Sequence, residues 1–360
     1  MLDEKYLKSE EKIIFALRSL YSKYGYLPYK MSKFEEYDLY AKNKEFLVSD
    51  SVITFTDTNG KLLALKPDVT LSIIKNATEA RGVKQKVYYS ENVYRISGST
   101  RQYKEIMQTG LECIGDIDLY DVCEAVSLSA KSLGAISKDY VLEISHMGIL
   151  SAILEKIGGN EGFCQEVTEC IKKKSRHEIL ECCEKYGIDK EGTDLLCEFV
   201  TVYGCPKSVF ERLDKMGIGA LTDAIEELKA LCSLLEGKAN IRLDFSIVND
   251  MNYYNGIVFN GFIKGVCECV LFGGRYDKLL AKMGKSGGGV GFAIYTDLLN
   301  GLNKETKGYD VDVLLIYKDT TPYKKVEDAV EWLVSQGKTV SAQKSIPDKL
   351  RYKELKEMED

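Results

Sequence analysis

The spacing of apolar side chains divides the chain into segments of different period. Residues 11–24 repeat apolar side chains every three or four positions and stop at Gly25, which is typical of an amphipathic helix closed by a left-handed residue. Residues 52–65 instead alternate apolar and polar side chains around Asn59-Gly60, a pair that favours a tight turn between antiparallel strands. The pattern therefore predicts an N-terminal helix followed by a β-hairpin.

Helical and strand patterns then occupy separate regions. Residues 118–134 predict a helix closed by Gly134, and residues 140–145 predict a strand. Strand patterns are missing from 149 to 237, where helical segments alternate with glycines, and we expect a helical insertion there. Strand patterns return at 240–248, 256–263 and 266–274. We expect these strands to form an antiparallel meander that ends in the glycine-rich run 285–294.

The last fifty residues differ from the rest. A continuous apolar run at 310–317, a helical pattern at 324–337 and a second strand pattern at 338–342 together predict a βαβ unit. The sequence as a whole therefore predicts an α+β protein. Its antiparallel-sheet core comes in two parts, 1–148 and 239–305, separated by a helical insertion at 149–238 and followed by a short C-terminal α/β tail at 306–360.

Composition narrows the class of protein. Hydrophobic residues make up 45% of the chain and charged residues 29%, but no apolar run approaches the ~18 residues of a membrane helix. The N-terminus is charged and lacks the apolar core of a secretion signal, so we expect no membrane span and a cytoplasmic location. Eleven scattered cysteines indicate reduced thiols, and with only His146 and His177 available we expect no metal site.

The charge balance bears on nucleic-acid binding. A net charge of −6 and a pI near 5.4 argue against a broad nucleic-acid surface. The one basic run, KKKSRH at 172–177, is more typical of a solvated helix face. The charge balance therefore speaks against tRNA as a partner, although a local basic patch stays open.

One stretch, YRISGSTRQYKEIMQTGLECIG at 94–115, places polar side chains where a core strand is expected. Gln108 and Glu112 share one face of such a strand, and Gly110 between them leaves the other face free. A buried carboxylate is costly unless a cation pairs with it. The spacing alone does not identify the partner of Glu112.

Four segments in this order resemble the class II aminoacyl-tRNA synthetase core, and specifically histidyl-tRNA synthetase and its relatives. They are 54–70, 93–115, 252–280 and 287–299. The resemblance covers roughly residues 10–150 and 240–300. It implies an antiparallel sheet of six or seven strands, flanked by helices, that dimerises through its first motif.

The resemblance also implies site residues. Gln108 and Glu112 match side chains that face the amino group of bound histidine, while Asp68 and Thr70 match contacts to its ammonium and carboxylate groups. The Tyr253-Tyr254 pair matches the tyrosines that line the imidazole pocket. Adding Arg95, at the motif 2 arginine, gives a histidine-like ligand pocket of Asp68, Thr70, Arg95, Gln108, Glu112, Tyr253 and Tyr254.

The ATP side of the family's site is altered. Asn249 stands where the histidine-specific motif has an arginine, and Leu298 stands where motif 3 ends in one. A hydrogen bond to a charged group contributes about 1.5 to 3 kcal/mol, so two lost donors remove about 3 to 6 kcal/mol. That loss corresponds to about two to four orders of magnitude in rate. We therefore expect no catalytic residue and no cofactor in this chain.

A core that keeps the histidine side and loses the ATP side resembles the regulatory subunits of ATP phosphoribosyltransferase. The resemblance implies a short-form catalytic subunit as partner, which the regulatory subunit activates at the first step of histidine biosynthesis. It further implies histidine feedback, with L-histidine as a ligand and a self-dimer within a hetero-oligomer. The short C-terminal tail is also less than a full anticodon-binding domain, which again argues against tRNA.

Other interpretations stay open at this level. The chain could be a divergent histidyl-tRNA synthetase, a stand-alone amino-acid-binding paralogue, or a scaffold in which the pocket residues only pack. Arg275 and Asp277 could line the ligand cleft, although a structural pair is favoured. The glycine-rich run lacks the Lys-Ser/Thr ending of a phosphate loop, so close strand packing is favoured there too.

Overall fold

The computed structural model describes residues 7–44, 47, 52–77, 82–97, 100–217, 223–248, 253–300, 302 and 308–358. The chain forms two compact units, residues 1–302 and residues 303–360. The domain boundaries at 148, 238 and 305 stay predictions. Among the described helices, none has the length and apolar character needed to span a membrane.

The first unit contains eleven of the described α-helices. They are α1 (Ser9–Lys23), α2 (Tyr37–Ala41), α3 (Thr70–Asn76), α4 (Leu119–Ile136), α5 (Met147–Ile157), α6 (Glu161–Lys172), α7 (Arg176–Tyr186), α8 (Lys190–Phe199), α9 (Pro206–Lys215), α10 (Asp223–Leu235) and α11 (Asp277–Lys282). Helices α5 to α10 follow one another between residues 147 and 235, interrupted by one two-residue strand.

Twelve described strands belong to the same unit. They are β1 (Leu27–Pro28), β2 (Phe34–Glu36), β3 (Thr54–Thr56), β4 (Leu62–Leu65), β5 (Lys84–Ile96), β6 (Tyr103–Gly115), β7 (Tyr140–His146), β8 (Tyr203–Gly204), β9 (Ile241–Asp244), β10 (Ile257–Ile263), β11 (Leu271–Arg275) and β12 (Gly288–Tyr295). A short 3₁₀ helix, Thr296–Leu299, follows β12 directly.

Nine of these strands form the main sheet, in the order β1-β5-β6-β12-β11-β10-β7-β9-β8. The six central strands pair antiparallel throughout, which confirms the predicted antiparallel core. They are β5, β6, β12, β11, β10 and β7. The predicted meander is confirmed for β10, β11 and β12 only. Strand β9 does not belong to it, because β9 pairs parallel with β7. The long helical excursion between them supplies the crossover that a parallel pair requires.

The two faces of the main sheet pack against different elements. Strand β6 shows the division, because Leu111 and Cys113 are buried in the core that includes α1 and α4. Ile114 points to the opposite face and joins a second core with side chains of α3 and α11. Alternate residues of a strand point to opposite faces, so Gln108 and Glu112 share this second face.

The predicted hairpin at 52–65 is confirmed. Strands β3 and β4 pair antiparallel, and β2 adds to the other edge of β4. The turn is longer than the two residues of the simplest hairpin. The Asp57 side chain stabilises it by accepting hydrogen bonds from the backbone N–H groups of Asn59 and Lys61, both at 2.8 Å. Gly60 adopts a positive φ of 80°, a conformation that glycine tolerates best.

The basic run at 172–177 is occupied in internal ion pairs. Lys172 pairs with Glu169 at 2.5 Å, and Lys173 pairs with Glu178 at 2.8 Å. Lys174 reaches Asp244 of β9 at 2.5 Å. Three of its positive charges are thus compensated within the protein, and the three lysines are exposed, which agrees with the prediction of a solvated helix face.

The second unit is a small parallel sheet with one described helix. It contains β13 (Val311–Ile316), α12 (Tyr323–Ser335), β14 (Val340–Gln343) and β15 (Tyr352–Glu357). Strands β13 and β14 pair in parallel around α12, so the predicted βαβ unit is confirmed. Strand β15 pairs in parallel with the other edge of β13 and was not predicted.

Candidate functional site

A cavity of about 280 Å³ lies on the face of the main sheet where Gln108 and Glu112 point. An apolar cavity of about 150 Å³ is enough for benzene, so the space suits a small molecule with one ring. All seven residues of the predicted ligand pocket line it: Asp68, Thr70, Arg95, Gln108, Glu112, Tyr253 and Tyr254. The structure therefore brings together side chains that are up to 186 positions apart in the sequence.

Glycines make room for the polar side chains of this cavity. Gly291 of β12 lies directly opposite Glu112 of β6, and a Cβ atom at Gly291 would fall 1.7 Å from Glu112 Oε2. The expectation that Gly110 leaves the opposite face of the strand free is wrong. The missing side chain of Gly110 leaves space on the cavity face itself, where the Tyr89 hydroxyl would lie 2.7 Å from a Cβ atom at Gly110.

Glu112 lines the cavity and is buried. Its Oε1 accepts a hydrogen bond from the Thr70 hydroxyl at 2.7 Å, and its Oε2 accepts one from the Tyr276 hydroxyl at 2.5 Å. Burial raises the pKa of Glu112 to about 8, against the lowering effect of the two hydroxyl donors. The nearby Asp68 carboxylate raises this pKa further. A cation beside Glu112 would reverse the shift.

Asp68 is the second carboxyl group of the cavity. Its Oδ1 accepts a hydrogen bond at 2.9 Å from the backbone N–H of Leu71, in the first turn of α3. Burial raises the pKa of Asp68 above its ordinary value, while this backbone donor and the Arg95 guanidinium partly oppose the effect. Asp68 is thus held by the helix start on one side and faces a cation on the other.

Arg95 is the only Lys, Arg or His among the described residues that line the cavity. Its Nε donates to the carbonyl oxygen of Pro67 at 3.0 Å, and its Nη1 donates to the Tyr295 hydroxyl at 3.0 Å. Two carboxyl groups therefore face one guanidinium in the described part of the cavity. The excess of acidic groups favours a ligand that carries a positive charge.

Aromatic rings form most of the remaining wall. Tyr253 and Tyr254 lie with ring centroids 4.5 Å apart, and Tyr276 lies 6.0 Å from Tyr253. Burial raises the pKa of all three phenols, so they remain neutral hydroxyl donors. Tyr276 was not predicted from the sequence, although this tyrosine lies between Arg275 and Asp277 in one of the four segments that resemble the synthetase core.

Gln108 offers an unused amide to the cavity. The side chain is only 4% exposed, and its amide makes no hydrogen bond to another residue within the described ranges. A polar group of a ligand would satisfy it.

Three other residues singled out in the sequence lie away from the cavity wall. Arg275 Nε donates to Asp277 Oδ2 at 2.8 Å, and Asp277 Oδ1 accepts from the backbone N–H of Gly289 at 3.0 Å, so this pair is structural. Leu298 lies in the 3₁₀ helix and packs against the main hydrophobic core. Asn249 lies outside the described residues.

The glycine-rich run is part of β12 and its approach. A Cβ atom at Gly289 would fall 2.3 Å from the Tyr276 ring, which shows how closely the strand packs. The predicted packing role is therefore confirmed for this glycine. No group of three His, Cys, Asp or Glu side chains suited to a metal ion occurs among the residues that the structure describes.

Comparison with known proteins places these features in a family. Residues 2–299 match the family model described as histidyl-tRNA synthetase. An ATP phosphoribosyltransferase regulatory subunit from Caldanaerobacter subterraneus subsp. tengcongensis is 31% identical over 325 residues, which cover 87% of this chain and 84% of the relative.

Two solved structures are similar in fold. The first is a Bacillus halodurans protein described as an ATP phosphoribosyltransferase regulatory subunit/histidyl-tRNA synthetase. It has a TM-score of 0.79 at 22% identity and covers 99% of this chain and 95% of that one. The second is the ATP phosphoribosyl transferase (HisG:HisZ) complex from Thermotoga maritima. It has a TM-score of 0.64 at 22% identity and covers 80% of this chain and 97% of that one.

Proposed function

Because the chain belongs to the family of ATP phosphoribosyltransferase regulatory subunits, we propose that it is a non-catalytic subunit that binds a short-form catalytic subunit, activates it and confers feedback by histidine. The observation that carries the histidine part is the cavity around Glu112. It sets the buried Glu112 carboxyl group and the half-buried Asp68 carboxyl group against one guanidinium and surrounds them with tyrosines. A small cationic ligand with a flat polar ring complements that arrangement.

The charges favour one orientation of the ligand. An amino acid carries its ammonium and carboxylate groups on the same carbon atom, so it needs an acidic and a basic partner that lie close together. Asp68 and Arg95 are such a pair, since the Arg95 guanidinium lowers the pKa of the Asp68 carboxyl group. Glu112 lies four residues along β6 from Gln108, about 13 Å at strand spacing. We place the ammonium and carboxylate groups between Asp68 and Arg95 and the imidazole ring toward Glu112. This orientation differs from the expectation drawn from the resemblance, in which Glu112 faces the amino group.

The cavity is poorly equipped for ATP chemistry. Phosphoryl and adenylyl transfer require several cationic groups or metal ions around the phosphates. Leu298 contributes an apolar side chain at the position of one such group, and Arg95 is the one described cation of the cavity. A regulatory role through ligand binding requires no such groups.

The proposed mechanism is thermodynamic linkage. Histidine can act on the catalytic subunit only if it binds one state of the assembly more tightly than another. Coupling free energies of this kind are commonly about 1 to 3 kcal/mol. The partner's substrates must then change the affinity for histidine by the same factor.

Calorimetric titration of the purified chain with L-histidine tests the binding site. We expect binding that does not depend on ATP and that weakens by about 10- to 150-fold in Glu112→Gln, because a charge-assisted hydrogen bond contributes about 1.5 to 3 kcal/mol. Glu105→Gln is the matched control, since this glutamate lies on the same strand but is exposed. Pyrophosphate release that requires histidine and ATP would instead identify a synthetase.

Reconstitution with a short-form catalytic subunit tests the regulatory role. We expect the chain to raise the catalytic rate and histidine to lower it again, while Glu112→Gln retains activation and loses sensitivity to histidine. Light scattering of the same sample measures assembly and the proposed self-dimer. A chain that binds histidine but neither assembles with nor activates the catalytic subunit would support a stand-alone amino-acid-binding paralogue.

A further inference from the structure

Tyr295 lines the cavity at a point four residues along the β6–β12 ladder from Glu112. It pairs with Gln108 across the β6–β12 ladder, and both side chains line the cavity. Its hydroxyl accepts a hydrogen bond from Arg95 Nη1 at 3.0 Å. Its ring packs edge-on against Phe272, with centroids 5.4 Å apart. The ring is therefore held from two sides.

The backbone around Tyr295 is also fixed. Its N–H donates to the carbonyl oxygen of Val270 at 2.9 Å, which ties it to the strand on one side. Two residues later, Asp297 Oδ2 accepts from the backbone N–H of Met107 at 3.0 Å, which ties the following turn to β6 on the other side. Swinging the ring out of the cavity by moving the backbone would break these contacts.

The ladder between β6 and β12 ends at Tyr295. Beyond Gln108, β6 continues for five residues paired with β5 alone, from Tyr103 to Met107. A carboxylate bound at Arg95 would lie next to the Tyr295 hydroxyl, so we expect a group attached to that carboxylate and directed toward this ribbon to meet the Tyr295 ring. The ring therefore limits the length of the ligand.

The contacts of Arg95 impose a second limit. Guanidinium binds phosphate best when two parallel N–H groups point at it. Here Nε is engaged by Pro67 and Nη1 donates to Tyr295, so one donor on each edge of the fork is already used. A single carboxylate oxygen can still be reached by a remaining N–H, but the two-pronged grip on a phosphoryl group is lost.

We propose that Tyr295 sets the ligand specificity of the cavity. It admits an amino acid with a free carboxylate and excludes one whose carboxyl group is joined to a phosphate as an acyl phosphate. The amino acid's identity rests on the proposed function. The exclusion rests on the Tyr295 ring and its contacts with Arg95 and Phe272.

A binding comparison of two ligands on variants of the intact chain tests the proposal. The ligands are L-histidine and a stable sulfamoyl analogue of histidyl adenylate, the acyl phosphate that joins histidine to adenosine monophosphate. The wild-type chain should bind histidine and bind the analogue at least about tenfold more weakly, because a steric limit in a pocket discriminates by roughly 10- to 200-fold. Tyr295→Ala should gain about tenfold or more in affinity for the analogue. Tyr295→Phe keeps the ring and should still exclude it.

The outcomes separate this inference from the proposed function. Equal affinity of the wild-type chain for both ligands overturns it, as does a Tyr295→Ala variant that binds the analogue no better than the wild-type chain. A wild-type chain that fails to bind histidine refutes the histidine site, but a gain of analogue binding in Tyr295→Ala would still support the exclusion by Tyr295. Thermal melts check folding, and Tyr295→Leu, which retains apolar bulk against Phe272, replaces the alanine variant if that variant unfolds.

Discussion

Glu112 is the residue whose ionisation couples the cavity to the stability of the protein. Its pKa is raised by burial to about 8, whereas a glutamate in an unfolded chain titrates near 4.5. The folded protein therefore holds a proton that the unfolded chain loses between these two values. By linkage, the contribution of Glu112 to stability is complete below pH 4.5 and is lost as the pH rises through about 8.

The first prediction follows from this sign. Without ligand, the free energy of unfolding should fall between pH 5 and pH 8, by an amount on the order of a few kcal/mol. Glu112→Gln should flatten most of this slope, because an amide cannot ionise. Asp68, whose pKa is also raised by burial, should leave a smaller slope of the same sign. Urea denaturation at several pH values measures the effect, and a slope identical in both proteins would contradict the assignment.

Some residues of the cavity could be predicted from the sequence, because their spacing or the order of the motifs indicates which face of a strand they occupy. Gln108 and Glu112 lie two steps of period two apart, so their common face follows from strand geometry alone. Tyr276 and Tyr295 were missed. Tyr276 lies in a segment that was interpreted through its charged residues, and Tyr295 lies in a segment that was interpreted through Leu298. Their contacts with Glu112 and Arg95 are long-range and require the fold.

At the scale of elements, helix α6 shows how the helical insertion is held in place. Asn160 precedes it, and its side-chain oxygen accepts a hydrogen bond from the backbone N–H of Phe163 at 2.9 Å. Phe163, Val167 and Ile171 then lie on the buried side of the helix. An N-terminal cap of this kind satisfies a backbone donor that has no partner within the helix.

The second prediction concerns this cap. Asn160→Ala should lower the free energy of unfolding by about 1 kcal/mol, within the range of about 0.5 to 2 kcal/mol for lost caps. Asn160→Asp is the matched control, because a carboxylate oxygen accepts the same hydrogen bond and should preserve most of the stability. Chemical denaturation measures both, and histidine affinity should stay unchanged since Asn160 is remote from the cavity lining. Equal stability of the alanine and aspartate variants would refute the capping role.

Elements were predicted well where the pattern was strongly periodic and poorly where tertiary packing decided. Gly134 was expected to end α4, but the helix continues to Ile136. A glycine inside a helix costs only about 1 kcal/mol, which a well-buried helix tolerates. Strand β15 was missed because its sequence YKELKE is mostly charged and reads as a solvated tail. Its pairing with β13 follows from an available sheet edge, which no local pattern reports.

At the scale of the whole molecule, the order of motifs was more informative than any one pattern. Periodicity alone predicted sheet and helices but could not give the pairing of β9 with β7 or the nine-strand order. The resemblance supplied the antiparallel core because it depends on four segments in sequence. The resemblance named seven residues of the cavity, but neither source could give its full lining, since the lining residues extend from position 47 to position 295 and meet only when β5, β6, β11 and β12 have paired.

The last prediction separates the cavity from the C-terminal unit. Every described residue that lines the cavity belongs to the unit that ends at 302, and the second unit has its own sheet and helix. A chain that ends at Leu302 should therefore bind L-histidine with the affinity of the full chain in a calorimetric titration. A loss of about tenfold or more, which is about 1.4 kcal/mol, would mean that the second unit supports the site. If affinity is retained but activation of the catalytic subunit is lost, the C-terminal unit is needed for communication with the partner, because ligand binding and its effect then depend on different parts of the chain.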